Sequence, residues 1–308
     1  MKILVAGGAG FIGSNITDAY IESGHAVTVV DNLSSGREEN LNAKAKFVRA
    51  DITDAGKIKE IFAADKFDIV SLHAAQIDVR KSVADPAFDA GINIIGSLNV
   101  LENAKNHGVG KVIFASSGGT IYGECGKTPP DENSEARPLS PYGITKYSLE
   151  FYLKFYAAIY GMKYTILRYA NVYGPRQDPN GEAGVVAIFS DKMLKGAELT
   201  IYGDGEQTRD YVFVGDLVKA NVNALKSGDN EIINIGTSKA TSVNELFRLM
   251  ASVSGYTKQP VYKAARPGEL LRSVLGIQKA SKLFGWKPET EISKGLEKTV
   301  SFFKLKAQ

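Results

Sequence analysis

Tyr142 and Lys146 stand four residues apart, a spacing that on a helix lays the ammonium over the same face as the phenol. A cation in that position favours the phenolate, and a phenolate near neutral pH can take the proton from a hydroxyl. The spacing alone is common, so position has to carry the weight. Pro141 suits the first turn of a helix. Upstream, the segment from Val112 to Gly123 reads as a central strand that ends in Ser116, Ser117, Gly118, Gly119 and Thr120. Hydroxyls and glycines therefore collect at the end of a strand, where an α/β sheet gathers its ligands.

A second constellation opens the chain. Lys2 to Ala6 is a short apolar run suited to a buried strand, and Phe11, Ile12, Ile16, Ala19 and Tyr20 recur at helical spacing. Gly7, Gly10 and Gly13 lie between the two. Gly7 can take backbone angles a Cβ would forbid, Gly10 lets the main chain approach a pyrophosphate, and Gly13 lets helix press on strand, leaving free N–H groups for the phosphates. The next strand ends at Asp31, eighteen residues after Gly13, where a carboxylate can accept from an adenosine ribose hydroxyl and repel a 2′-phosphate, favouring NAD over NADP. Asp51, closing a further strand, either meets the adenine edge or caps a helix starting near Thr53.

Composition narrows the class. The chain has 308 residues, 44% hydrophobic and 23% charged, with a net charge of +3, which is ordinary globular usage. Lys and Glu are interleaved without a basic block, so neither nucleic acid nor a membrane surface is an expected partner. A single cysteine, Cys125, excludes an intramolecular disulfide and a cysteine-cluster metal site. His25, His73 and His107 stand far apart, so no histidine-rich metal site is expected. With a strand beginning at residue 2 and no run long enough to span a bilayer, a reducing cytoplasm is the expected location.

The elements that would position these residues alternate. Strands are expected near 2–6, 26–31, 46–50, 67–72, 110–116 and 163–169, and helices near 11–23, 54–63, 86–107 and 140–160. That order predicts an α/β fold, a Rossmann-type doubly wound parallel sheet with helices on both faces. After Asn171 the pattern breaks into a turn-rich loop, a helix near 184–195 and a strand near 199–202. A helix over 214–225 and a strand over 232–235 then return to the sheet. The expected division is a cofactor domain of 1–171 plus about 214–238, and a smaller, discontinuous α/β substrate lobe of about 172–213 plus 239–308. The 140–160 helix is apolar nearly all round, so it must be buried on more than one face. A second subunit, giving a two-fold homodimer, or the second lobe would cover the outer face.

Taken together, Gly7-x-x-Gly10-x-x-Gly13, Asp31 to Gly36, Asp51-Ile52, Ala74-Ala75-Gln76, Asn93-Ile-Ile-Gly96-Ser97, Ser116-Ser117, Tyr142-x-x-x-Lys146, Arg168-Tyr-Ala-Asn171-Val-Tyr-Gly-Pro175, Gln207-Thr-Arg209-Asp210-Tyr211 and Arg266-Pro-Gly-Glu269 resemble the extended short-chain dehydrogenase/reductases that act on nucleotide sugars, the C4 epimerases above all. The resemblance runs over nearly the whole chain. It implies a tightly held NAD near Gly7, Gly10, Phe11, Ile12, Gly13, Asp31, Asn32, Leu33, Ser34, Ser35, Gly36, Asp51, Ile52, His73, Ala74, Ala75, Gln76, Ile77, Asn93, Ser116, Tyr142 and Lys146. It implies a UDP-sugar met by Asn171, Val185, Val186, Ile201, Arg209, Arg266 and Glu269, the arginines as bidentate donors to a diphosphate. The implied reaction inverts C4 of a UDP-hexose through a 4-keto sugar, with Tyr142 as the base.

Two positions depart from that family. Leu72 stands where a histidine is common, with His73 beside it. Gly118 stands where epimerases usually carry a Ser or Thr that bridges the sugar O4 and the tyrosine, leaving Thr120, Ser117 or a bound water to do this. Related dehydratases want an Asp-Glu pair at 119 and 120, and related decarboxylases a Glu at 120; Gly119-Thr120 supplies neither. A sugar 4-reductase, or a non-catalytic NAD sensor on the same fold, is the alternative. Ser273 falls where such epimerases place a residue beside the sugar C2 substituent, and a small one leaves room for an N-acetyl group. The competing reading sets Ser273 on a solvent-facing loop.

Overall fold

The computed structural model describes residues 1–180, 184–266 and 268–306. Seven strands form the large sheet: β1 (Lys2–Ala6), β2 (Ala26–Asp31), β3 (Lys46–Arg49), β4 (Ile69–Leu72), β5 (Lys111–Ser117), β6 (Lys163–Tyr169) and β7 (Glu231–Ile235). Their order is β7-β6-β5-β4-β1-β2-β3 and every pairing is parallel. Ile3 to Ala6 and Val112 to Phe114 are closed to solvent, because a parallel sheet covered by helices buries both faces of its strands. The order reverses between β1 and β4, which opens a crevice beyond their carboxyl ends. Gly7 and Ala74 meet there.

The expected helices form, with local differences. The second begins at Ala55, where the Asp54 side chain accepts from Lys57 N at 2.9 Å; Asp51 is not its cap. Val79–Ala84 is a short helix the sequence pattern did not signal. The run expected over 86–107 is one rod with a defect: α-helix at Pro86–Ala90, π geometry at Gly91–Gly96, then α-helix at Ser97–Asn106. A π turn widens the ladder by one residue and commonly marks a functional site. Here it carries Asn93 inward, and Gly96 lets the rod settle on Ile52, since a Cβ at Gly96 would stand 2.8 Å from Ile52 Cγ1.

The Pro141–Tyr160 helix starts on Ser140, whose hydroxyl accepts from Gly143 N at 3.2 Å, with proline in its first turn. Lys146, Leu149, Glu150, Leu153 and Tyr156 face the sheet and are buried, whereas Ile144, Phe151, Phe155 and Ile159 are exposed. The second lobe thus leaves the outer face of this helix uncovered. That lobe closes on its own core of Tyr173, Phe189, Met193, Leu199, Ile201, Tyr211, Leu246, Met250 and Leu296. Among the described residues no helix is long and apolar enough to cross a membrane.

Candidate active site

At the crevice, glycine is required by contact as well as by dihedral angle. Gly7 has φ +82°, and a Cβ on it would stand 2.5 Å from Ala74 N. A Cβ on Gly13 would reach 2.1 Å from Gly7 O, so the helix touches the strand's turn backbone to backbone. A Cβ on Gly10 would instead meet only Gly7 O at 3.4 Å and project into the cradle. Asp31 is pinned at the crevice edge: its two oxygens accept from Ala9 N at 3.0 Å and Leu33 N at 2.8 Å. Each oxygen keeps a lone pair for a ribose hydroxyl. Asp51 accepts from Asn32 Nδ2 at 2.7 Å and from Thr53 N at 2.8 Å, which settles the sequence alternatives against a cap. Phe11 lies in the core, while Ser34 and Ser35 remain on the surface of the loop. This cradle of glycines, loop carboxylate and open helix end fits a dinucleotide.

On the far side of the crevice the Ala74, Ala75, Gln76, Ile77 loop is tied to the π turn, Gln76 N donating to Asn93 Oδ1 at 2.8 Å. His73 Nε2 lies 2.9 Å from Ser71 Oγ, and its Nδ1 is buried with no partner among the described residues. Burial, helped by the Lys146 ammonium, holds this ring down to about 3, so it is neutral. Lys146 is itself 3% exposed. Its Nζ donates to Ala115 O at 3.0 Å and lies 5.9 Å from the centre of the Tyr142 ring. Burial lowers Lys146 to about 8, with the Asp89 carboxylate opposing that shift.

The strand end next to this pair is divided between two tasks. Ser116, expected among the cofactor contacts, instead donates its hydroxyl to Glu150 Oε1 at 2.7 Å. Glu150 in turn holds Arg168 through two bonds, at 2.9 and 2.6 Å. The side chain of Ser116 is therefore committed to a buried ion pair. Ser117 and Thr120 stay on the cleft side, and Thr120 Oγ1 is buried with no partner among the described residues. Leu275 covers the position: a Cβ on Gly118 would stand 2.5 Å from Leu275 Cδ1, so a side chain there fits only if the leucine turns aside. A Cβ on Gly119 would lie 3.5 Å from Asn171 Oδ1 and 4.0 Å from both Ser117 Oγ and Ser273 Oγ. Three segments distant in sequence, around Gly119, Asn171 and Ser273, thus converge here.

Ser273 is 3% exposed, in a strand paired with Arg209, and its hydroxyl donates to Gly119 O at 3.5 Å. It does not lie on a solvent-facing loop. Arg209 reaches Glu269 at 3.5 Å, and the Arg266 guanidinium stacks 3.7 Å over the Tyr202 ring. Both arginines are thus held without a tight carboxylate partner. Val186 and Ile201 are each 1% exposed and belong to the lobe's core, so only their backbone is available to a ligand; Val185 is half-buried at the helix start. Among the described residues no group of His, Cys, Asp and Glu could hold a metal ion.

Sequence reasoning missed three buried acids. Glu150 signals itself only as a lone carboxylate on a helix face otherwise apolar. Asp210 accepts from Thr237 N at 2.7 Å, Ser238 N at 3.0 Å and Leu275 N at 3.3 Å, and thereby fixes the leucine that covers Gly118. Asp89 gave no signal, since its partners Gln76, Asn93 and Thr145 come from the loop after β4, the π turn and the Pro141–Tyr160 helix.

Residues 3–236 match the NAD dependent epimerase/dehydratase family, and the chain belongs to it. It is 51% identical to the putative UDP-glucose 4-epimerase of Methanocaldococcus jannaschii, with 98% of each chain covered. Its fold is similar to the UDP-glucose 4-epimerase of Thermotoga maritima, solved with UDP-glucose, at TM-score 0.98 and 53% identity over the whole of both chains. The UDP-N-acetylglucosamine 4-epimerase of Methanobrevibacter ruminantium, solved with UDP-N-acetylmuramic acid, is similar at TM-score 0.93 and 38% identity, covering 99% of this chain and 98% of that one.

Proposed function

We propose that this chain is an isomerase that interconverts UDP-glucose and UDP-galactose at C4, with tolerance for the N-acetyl forms, using an NAD it retains. The observation that carries the reading is the Tyr142–Lys146 pair set at the crevice where β1 and β4 part, facing a strand end that offers Thr120 and Ser117. Residues 1–171 and 214–238 form the cofactor side, and 172–213 with 239–308 the sugar side.

Tyr142, as the phenolate that the Lys146 ammonium stabilises, takes the proton of the sugar O4 hydroxyl and later returns it. When bound, NAD supplies a reversible hydride acceptor for C4, so no net oxidation occurs. Thr120 orients O4 in place of the hydroxyl that Gly118 lacks, with Ser117 next in line. Asn171, Val185, Val186, Ile201, Arg209, Arg266 and Glu269 hold the UDP part, and that anchoring lets the 4-keto sugar turn and present its other face. Asp31, Asn32, Leu33, Ser34, Ser35, Gly36, Asp51 and Ile52 hold the adenosine half. The exposed Phe151, Tyr152, Phe155 and Ile159 face is covered by a second copy, giving a homodimer, and the single buried cysteine suits the cytoplasm.

Incubation of the purified chain with UDP-galactose, and separately with UDP-glucose, without added NAD, tests this. Each sugar is expected to yield the other. Absence of either product from protein carrying a full complement of NAD would refute it.

A further inference from the structure

The first N–H groups of a helix have no partner within it. In the Pro141–Tyr160 helix, Pro141 brings none and Ser140 takes that of Gly143. The amide of Tyr142 is answered from sixty residues away in the chain: Ser82 Oγ accepts from Tyr142 N at 3.2 Å. Ser82 has no solvent exposure, and its own proton goes to Val79 O at 2.7 Å, one turn back on the short Val79–Ala84 helix. A hydroxyl whose proton is spent still offers its lone pairs, and Tyr142 N meets them. The short helix is in turn fixed to the cofactor wall. It starts on Asp78, whose side chain accepts from Arg80 N and Lys81 N. The Gln76 side chain grips Asp78 at both ends of its backbone, Oε1 accepting from Asp78 N at 2.6 Å and Nε2 donating to Asp78 O at 2.9 Å.

We propose that Ser82 is a positioning residue for the proton transfer: it ties the backbone of Tyr142 to the 74–77 wall, so that the phenol is placed by the same segment that meets the cofactor. This rests on the epimerase reading of Tyr142. The body of the helix is registered separately. Thr145 bonds to Asp89 at 2.9 Å, Lys146 to the Ala115 carbonyl at 3.0 Å, and Glu150 to the Ser116 hydroxyl at 2.7 Å. These bonds fix the helix against the π-turn rod and along β5, but each lies three residues or more beyond Tyr142, and a helix frays first at its end. Without Ser82 the first turn keeps its Ser140 cap and loses its tie to the cofactor wall. A misplacement of about 1 Å at a reacting group can cost about 10²-fold in rate.

Ser82→Ala removes the acceptor and leaves every ionisable group of the site in place. In the NAD-loaded enzyme, kcat for UDP-galactose is expected to fall roughly ten-fold, with KM and NAD content unchanged, because the sugar wall and the glycine cradle are untouched. Ser82→Thr keeps the hydroxyl, and on a helix a threonine can make the same bond to the carbonyl one turn back, so it should retain most of the wild-type kcat. Unchanged kcat in Ser82→Ala, an equal loss in both variants, or a loss that tracks lost NAD would overturn the proposal and leave Ser82 a structural residue of the short helix. Amide hydrogen exchange at Tyr142 separates this from the functional reading, since it needs no turnover. It is followed by NMR in the NAD-loaded, 15N-tyrosine-labelled protein, with the resonance assigned through Tyr142→Phe. Exchange is expected to quicken roughly ten-fold in Ser82→Ala whether or not UDP-hexoses react, and an unmoved rate overturns the tie by itself.

Discussion

The two walls of the crevice are built on opposite principles. The cofactor wall is made of backbone: Gly7 and Gly13 have no room for even a methyl group, and Asp31 is fixed by main-chain donors. The sugar wall is made of side chains with slack. Arg209 reaches its partner only at 3.5 Å, Arg266 rests on a ring face, and Thr120 holds an unspent hydroxyl. In the proposed reaction a retained cofactor can be met by a rigid surface, whereas a sugar that turns over within the site needs one that yields.

The comparison breaks most sharply at the proton-transfer residue. Tyr142→Phe is expected to lower kcat by about 10²- to 10⁴-fold, the usual worth of a general acid–base group, while the ultraviolet spectrum still shows bound NAD; near wild-type turnover would remove Tyr142 from the mechanism. On the rigid wall, Gly13→Ala should cost at least the ~1–3 kcal/mol typical of overpacking, because its Cβ would meet the Gly7 carbonyl. It should appear as lost NAD and a lower melting temperature together. Arg209→Ala, on the yielding wall, should raise KM for UDP-galactose by roughly ten-fold, as a charge-assisted contact is worth about 1.5–3 kcal/mol, with NAD content untouched. Loss of NAD at unaltered KM would place this arginine at the wrong end of the crevice. The smallest effect is the most selective. Ser273→Tyr is expected to depress epimerisation of UDP-N-acetylglucosamine by roughly ten-fold and that of UDP-glucose little, since the new ring would fill space beside Gly119 at ~1–3 kcal/mol of overpacking. Equal activity in wild type and variant, or none in wild type, removes Ser273 as the gate.

The same division explains what could be read from the sequence. The glycine turn, Asp31 and the catalytic helix were legible because local spacing decides them: strand, turn and helix follow one another, and Ser140-Pro141 starts the helix on the spot. The sugar side was legible mainly through resemblance, because Gly119, Asn171, Arg209 and Ser273 meet only after the chain has crossed between lobes. The bond from the Ser116 hydroxyl to Glu150 was not legible, because consecutive strand residues point to opposite faces and nothing local says that a buried carboxylate waits behind this one. Asp89 was invisible for a further reason: Asn93 meets it through a π turn, which leaves no mark in an apolar periodicity, and Gln76 and Thr145 reach it from distant segments.

Gly118 and Leu275 form a lock of two parts. Where the resemblance to C4 epimerases would place a hydroxyl, this chain has Leu275 packed over Gly118, anchored by Asp210 and by Ser238, which donates to the Leu275 carbonyl at 2.6 Å. The two positions are therefore coupled: a side chain at 118 fits only as far as Leu275 turns aside, and a shortened 275 leaves a hole beneath the strand end.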